Sequence, residues 1–255
     1  MSKAKIKFRE REQFKEGTVD FKDEKLEVEG KQYSVESLSL DSPLTGTVYG
    51  TLLNYQGAYD ALEPSMHQEP YKQPPKAPVL YIKPRNTLIG TEAKIPMPPN
   101  VSELEMGAAL GVVIGEKATN VKEEEALDYV SGYTIVNDVS IPHTSVYRPA
   151  VKEKARDGFC PAGPWIVTRD FINNPDELGI RVFINGELKQ ENNTRNLIRS
   201  AGKLIADVTS FMTLFPGDTL LVGVPENAPL ANVNDSIDIQ IDGIGTLRNT
   251  IVKDD

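Results

Sequence analysis

Over most of the chain, apolar positions come in blocks too short for long helices and of the right length for strands. Val79-Leu80-Tyr81-Ile82 predicts a strand delivering Lys83, Arg85 and Asn86 to its end, and the uninterrupted apolar run Ala108 to Ile114, stopped by Gly115, predicts a buried one. Further strands are expected at Ile180 to Ile184 before an Asn185-Gly186 turn, at Thr219 to Val222, at Ile237-Ile239-Ile241 in alternation, and at Leu247 to Val252. Two helices are expected. One begins near Asn120, with Glu123 in capping-box position, and runs through Ala126, Leu127 and Val130. The other carries Leu197, Ala201, Leu204, Val208, Phe211 and Phe215 on one buried face and stops at Pro216-Gly217. The class is α+β, dominated by β.

Residues 1–45 read as a small, strongly charged, β-rich extension, with short runs at Ile6 to Arg9 and Lys25 to Val35 around Gly30; residues 46–255 form the main domain. Nine of the 18 prolines fall between Pro64 and Pro99, so loops and edge strands are expected there, since proline lacks the N–H that a ladder or helix needs.

The chain has 255 residues, enough for one large core, and a formal net charge of −9. That balance disfavours nucleic acid and anionic membranes, which reward clustered Lys and Arg. No window approaches a membrane span, and the charged first residues do not read as a secretory signal, so a cytoplasmic location is expected. The single cysteine, Cys160, has no histidine at partner spacing and reads as a buried, inert thiol.

Polar chemistry concentrates between Tyr133 and Trp165, in Asn137-Asp138-Val139-Ser140, Tyr147-Arg148-Pro149 and Lys154-Ala155-Arg156-Asp157-Gly158-Phe159. Taken in order with Val113-Ile114-Gly115, Gly163-Pro164-Trp165, Asn185-Gly186-Glu187, Phe215-Pro216-Gly217-Asp218 and Gly243-Ile244-Gly245, these segments resemble the fumarylacetoacetate hydrolase family over about residues 46 to 252. Within the family, Tyr147-Arg148-Pro149-Ala150 and Tyr81-Ile82-Lys83-Pro84-Arg85-Asn86 are most similar to the N-terminal half of the two-halved isomerase/decarboxylase branch of 4-hydroxyphenylacetate (homoprotocatechuate) catabolism.

That resemblance implies a mixed β-sandwich roll and small oxo di- or tricarboxylic acid substrates. It also implies decarboxylation or keto–enol isomerisation, and a homo-oligomer or a hetero-oligomer with a metal-bearing homologous subunit. Such chemistry builds an enolate, which a carboxylate-held Mg2+ or Mn2+ stabilises in the family. Counting back from Gly115, the family's two glutamate positions fall on Gly107 and Ala109, which offer no ligand, and Asp138 alone matches the third. Glu103-Leu104-Glu105 has the right internal spacing but lies four residues too early, about 13 Å along a strand, and reads as a solvated acidic turn.

Lys154 matches the family's active-site lysine. With Arg148 and Arg156 it forms either an anion site for substrate carboxylates or structural pairs with Asp138, Asp157 and Glu153. Asp138 is a general base if buried, or a turn cap. His143 is a proton carrier on a mobile lid or an exposed loop histidine. Tyr147 and Trp165 line the pocket or pack the core, and Arg85 is a further substrate-binding candidate. Three functions follow: an oxo-acid isomerase/decarboxylase subunit, a non-catalytic structural or regulatory partner, and a metal-dependent acylpyruvase or oxaloacetate tautomerase with rearranged ligands.

Overall fold

A computed structural model describes residues 1–9, 13–21, 25–69, 71–144 and 150–254. Tyr147 and Arg148 lie outside them. The strands are β1 (Ser2–Ile6), β2 (Lys15–Asp20), β3 (Lys25–Val28), β4 (Lys31–Ser34), β5 (Val48–Leu52), β6 (Val79–Lys83), β7 (Leu88–Ile89), β8 (Lys94–Met97) and β9 (Leu104–Glu105). They continue as β10 (Ala108–Ile114), β11 (Val130–Asn137), β12 (Cys160–Thr168), β13 (Gly179–Ile184), β14 (Glu187–Asn193), β15 (Thr219–Leu221), β16 (Leu230–Ala231), β17 (Ser236–Ile241) and β18 (Gly245–Lys253). The helices are α1 (Gln56–Met66), the single turn α2 (Val151–Lys154) and α3 (Ala201–Thr209).

An 11-stranded sheet runs in the order β4-β3-β2-β1-β12-β11-β10-β15-β5-β6. After β6 the chain turns at Arg85–Thr87, and β7 pairs in parallel with β12 through Cys160 and Leu88. The stretch from β12 to β6 therefore curls back on itself into a roll. The extension is continuous with it, because β1 pairs with β12.

Strand alternation gives the roll two faces. On one lie Leu110, Val112, Ile135, Val167 and Leu220, packed in a single cluster with Ile180, Val182, Ile239 and Leu247 of the five-stranded sheet β14-β13-β17-β18-β8 and with Leu204 and Val208 of α3. The other is smaller: Val48, Ala109, Val113, Val136, Cys160, Ala162, Ile166 and Leu221 form a separate cluster inside the curl. By register, Tyr81 and Lys83 share that inner face, Tyr81 opposite Gly50 and Lys83 opposite Val48. Asp138, two residues beyond Val136, continues the same face.

The strands expected in the main domain form within a residue or two, including the left-handed turn at Asn185 (φ 53°) and Gly186 (φ 79°), whereas in the extension the strand is Ser2–Ile6 and not the run Ile6 to Arg9. The helices differ. Asn120 takes φ 49° and caps nothing, leaving a 3-10 helix at Glu123–Tyr129. The second helix spans only Ala201–Thr209, with the Ser200 hydroxyl accepting from Lys203 N at 3.1 Å. Phe211 and Phe215, expected in the core, are 66% and 55% exposed, because the helix ends before the stripe reaches them. Helix α1 forms where no element was expected, and only its end, from Pro64 to Met66, enters the proline-rich stretch expected to hold loops and edge strands. Among the described residues no helix is long and apolar enough to cross a membrane.

Candidate active site

The inner face of the roll carries a charged cluster at one end. Asp138 is 1% exposed and follows directly on β11. Its N–H donates to the carbonyl of Gly107 at 2.7 Å. Lys154, on α2, brings its ammonium 2.8 Å from Asp138 Oδ2, and the Lys83 ammonium sits 2.9 Å from Oδ1. Lys83 also donates to the carbonyls of Val139 (2.9 Å) and Lys154 (2.8 Å). The Tyr81 hydroxyl donates to Asp138 Oδ2, and the Lys154 ammonium lies over the Tyr81 ring, 4.9 Å from its centroid.

Local sequence explains the convergence. Residues i and i+2 of a strand share a face, so Tyr81 and Lys83 point inward together. Gly50 is what lets the phenol lie flat. A Cβ on Gly50 would fall 2.0 Å from Tyr81 Cζ. The four-residue helix α2 delivers Lys154 side-on to a carboxylate that the β11 ladder holds in place.

Burial pushes the Asp138 carboxyl up, but the adjacent Lys154 and Lys83 ammonium groups outweigh it and hold the group well below the usual carboxylate range. Burial pulls Lys83 below its ordinary value, with Asp138 opposing. Burial, then Asp138, pushes the Tyr81 phenol well up. Cys160 opposes Leu88 on the same face, and burial raises its thiol to about 12.

The positions expected for the glutamate pair face this cluster and are empty of ligands. Gly107 bonds to Asp138 and Ala109 pairs with Val136, so both lie on the inner face. A Cβ on Gly107 would come 2.6 Å from the Asp138 carbonyl oxygen. Mg2+ and related ions need a shell of oxygen ligands, and both Asp138 oxygens already face ammonium groups. Among the described residues no group of three or more His, Cys, Asp or Glu is placed to hold a metal. The residues present do not fit the divalent ion.

Of the predicted site residues, Asp138 and Lys154 come together. Arg156 is half-buried two residues beyond Lys154, its Nε donating to the Lys152 carbonyl at 2.9 Å. His143 is exposed and bonds the carbonyl of Ile141 in its own loop at 2.9 Å. Arg85 lines a cavity of about 780 Å³ with Lys7, Thr45, Thr47 and Phe215, which shares Lys83 with the cluster. Trp165 is a core residue, its indole donating to Ile244 O at 2.9 Å. Sequence reasoning missed the roles of Tyr81 and Lys83 in the cluster. Alternation put them on one face, but nothing local revealed that this face turns inward. It also set Glu105 aside, which the fold pairs with Ser140 at the edge of the cluster.

Residues 47–252 match the model of the fumarylacetoacetate (FAA) hydrolase C-terminal family. The chain belongs to the fumarylacetoacetate hydrolase family. Within this family it is 40% identical over 211 residues to the 4-hydroxyphenylacetate degradation bifunctional isomerase/decarboxylase of Escherichia coli, covering 83% of the chain and 48% of that protein. The chain thus spans about half the length of the curated relatives it matches first. Among solved family structures, 2-hydroxyhepta-2,4-diene-1,7-dioate isomerase from Mycobacterium marinum superposes with a TM-score of 0.78 at 27% identity, covering 99% of this chain and 98% of that one. Maleylpyruvate hydrolase from Sphingobium sp. SYK-6, in complex with manganese(II) and pyruvate, shares the fold at a TM-score of 0.78 and 23% identity, over 99% of this chain and 100% of that one.

Proposed function

We propose that this chain is an isomerase/decarboxylase subunit acting on a small oxo di- or tricarboxylic acid, of the 2-hydroxyhepta-2,4-diene-1,7-dioate and 5-oxopent-3-ene-1,2,5-tricarboxylate type. In this reading its enolate is stabilised by an ammonium group rather than a divalent cation. The observation that carries the reading is the buried Lys83–Asp138–Lys154 group on the face where Gly107 and Ala109 stand.

Removing CO2 or a proton next to an oxo group leaves negative charge on oxygen, and a preorganised cation in a dry site stabilises it strongly. Lys154 is the candidate. It is 8% exposed, against 1% for Lys83, so it is the ammonium that a ligand reaches. Asp138 is too poor a proton acceptor for general base work, with its affinity for protons depressed and both oxygens engaged. Its role in this reading is to aim Lys154. Lys83 fixes the same lysine from behind through its carbonyl. Arg156 and Arg148, flanking α2 in sequence, supply bidentate partners for substrate carboxylates, and Arg85 a more distant one.

The similarity to one half of a two-halved enzyme supports an assembly with a metal-bearing homologous subunit, or a homo-oligomer. The test is turnover of the dienol diacid by the purified chain with excess EDTA, alone and with that homologue. Activity that survives EDTA and is lost in Lys154→Met supports the reading. In the chain alone, activity that appears only with added Mn2+ or Mg2+, or that ignores Lys154→Met, overturns it.

A further inference from the structure

Beyond the end of β10 the inner face continues through Gly107 to Glu105. Gly107 stands opposite Asp138, and Glu105 opposite Ser140, its N–H donating to the Ser140 carbonyl at 2.8 Å and its carbonyl accepting from Ser140 N at 3.2 Å. Pairs two residues apart on a strand share a face, so Glu105, Gly107, Asp138 and Ser140 look the same way. Glu105 is therefore displaced from Asp138 by about 7 Å, two strand rises. That leaves the bare Gly107 backbone as a gap between the two carboxylates.

Four further facts set Glu105 apart from an acidic turn. The buried Ser140 hydroxyl, 0% exposed, approaches Glu105 Oε1 at 3.4 Å, which orients the carboxylate. The side chain is half-buried, enclosed enough to be aimed and open enough to meet a ligand. Its charge is also among those felt by the Tyr81 hydroxyl, which places it in the same electrostatic site as Asp138. No ammonium or guanidinium ion pair neutralises it among the described residues, whereas Asp138 is held by two.

We infer that Glu105 is the proton-transferring catalytic residue of this site, working across the Gly107 gap from the Lys154 ammonium. This deepens the oxo-acid reading and rests on it. The Glu105 carboxylate takes a proton from a carbon conjugated with the oxo group. The C–H electron pair becomes the new C=C bond and the carbonyl pair moves onto the oxygen beside Lys154. The proton on Glu105 is then replaced from solvent and a solvent hydron goes back to the same carbon, giving exchange, or the proton passes to the other end of the three-carbon unit, giving isomerisation. Either way the carboxylate is regenerated with no reagent beyond water. Division of labour follows from environment. The doubly paired carboxylate stays ionised and structural, while the unpaired one carries the proton.

The experiment is hydrogen–deuterium exchange at C3 of 2-oxopentanedioate in D2O, followed by proton NMR, beside turnover of the dienol diacid. The wild-type chain is expected to exchange C3 faster than buffer. Glu105→Gln should lower that rate about 100-fold or more, the usual scale of a lost general base. Glu103→Gln, two residues further from Asp138 and outside β9, should stay within about twofold, and both variants should melt like wild type. Wild-type exchange no faster than buffer, a Glu105→Gln rate equal to wild type, or an equal loss in Glu103→Gln each overturns the assignment. If Glu105→Gln does not fold, Glu105→Asp replaces it. That variant keeps the charge one methylene further back and should exchange about tenfold slower, a wild-type rate overturning the role. Exchange that depends on Glu105 without dienol turnover would sink the substrate reading while leaving the proton-transfer role intact.

Discussion

The ammonium of Lys83 donates to the main-chain carbonyl of Lys154 at 2.8 Å while the two side chains take opposite oxygens of Asp138, at 2.9 and 2.8 Å. One buried cation thus fixes both the backbone and the counter-ion of the other. Replacing Lys83 by Met is expected to cost about 3–5 kcal/mol in stability, the scale for breaking a buried pair, because it leaves the Val139 and Lys154 carbonyls without their donor. Lys154→Met, at the more open position, should lose activity with a smaller stability change. Urea unfolding of both variants beside turnover separates the roles. Equal stability losses would contradict the division.

Asp138 makes the cluster sensitive to acid. Its folded carboxyl binds protons more weakly than its ordinary value of 3.8, so the stability it contributes is present above about pH 4. That contribution is lost as pH falls towards the depressed folded value. Between pH 4 and 2 the wild type should lose up to about 1.4 kcal/mol per pH unit through this one group. Asp138→Asn removes that slope, and it should also be destabilised at pH 7 because two ammonium groups lose their counter-charge. Urea midpoints at pH 7, 4 and 3 read both effects. Parallel acid slopes in the two proteins would refute the assignment.

How far these features were legible depends on the range of the force involved. Strands such as β10 and β17 were readable because their apolar blocks and alternation are local. The end of α3 was not, because Phe211 and Phe215 continue the helical spacing while the backbone has already left the helix; periodicity records where side chains recur, not where the chain turns. Asp138 and Lys154 were found by their resemblance to a known pattern. Lys83 and Tyr81 were not, since their meaning comes from the curl that brings β6 and β7 back beside β12. Glu105 was judged by distance from a metal position, when what positions it is the pairing partner across the strand.

Gly50 and Tyr81 form a lock that a single methyl group should break. A Cβ at Gly50 would overlap the Tyr81 ring at 2.0–2.4 Å, so Gly50→Ala must push the phenol off Asp138. Overpacking of this kind costs about 1–3 kcal/mol. Tyr81→Phe removes only the hydroxyl, and the double variant should be no less active than Gly50→Ala alone, because both act on the same contact. Turnover measured around this cycle checks it, and additive losses would show that Gly50 acts elsewhere.

The ammonium-filled cluster predicts no high-affinity divalent site. Titration of the purified chain with Mn2+, read by the paramagnetic signal of the free ion, should show no binding at micromolar concentrations. Gly107→Glu should not create a site, because its Cβ meets the Asp138 carbonyl at 2.6 Å and both carboxylate oxygens of Asp138 stay occupied. Stoichiometric binding to the wild type would show that Asp138 exchanges its lysines for a cation.

Cys160 gives an independent check on the inside of the roll. Its thiol is 0% exposed and burial raises it to about 12, so almost none is thiolate at pH 8. Because the folded value lies above the ordinary 9.0, its contribution to stability is complete below pH 9 and is lost as pH rises towards 12. A disulfide reagent at pH 8 should therefore label the native protein at least about 100-fold more slowly than the urea-unfolded chain, since the thiolate is the reactive form and opening must precede attack. Lys83→Met should speed native labelling, because Lys83 ties Val139 and α2 over the same end of the roll. Native labelling as fast as unfolded would mean that the face carrying Asp138, Lys83 and Cys160 is open to solvent, and the dry, preorganised site inferred from it would fall with that result.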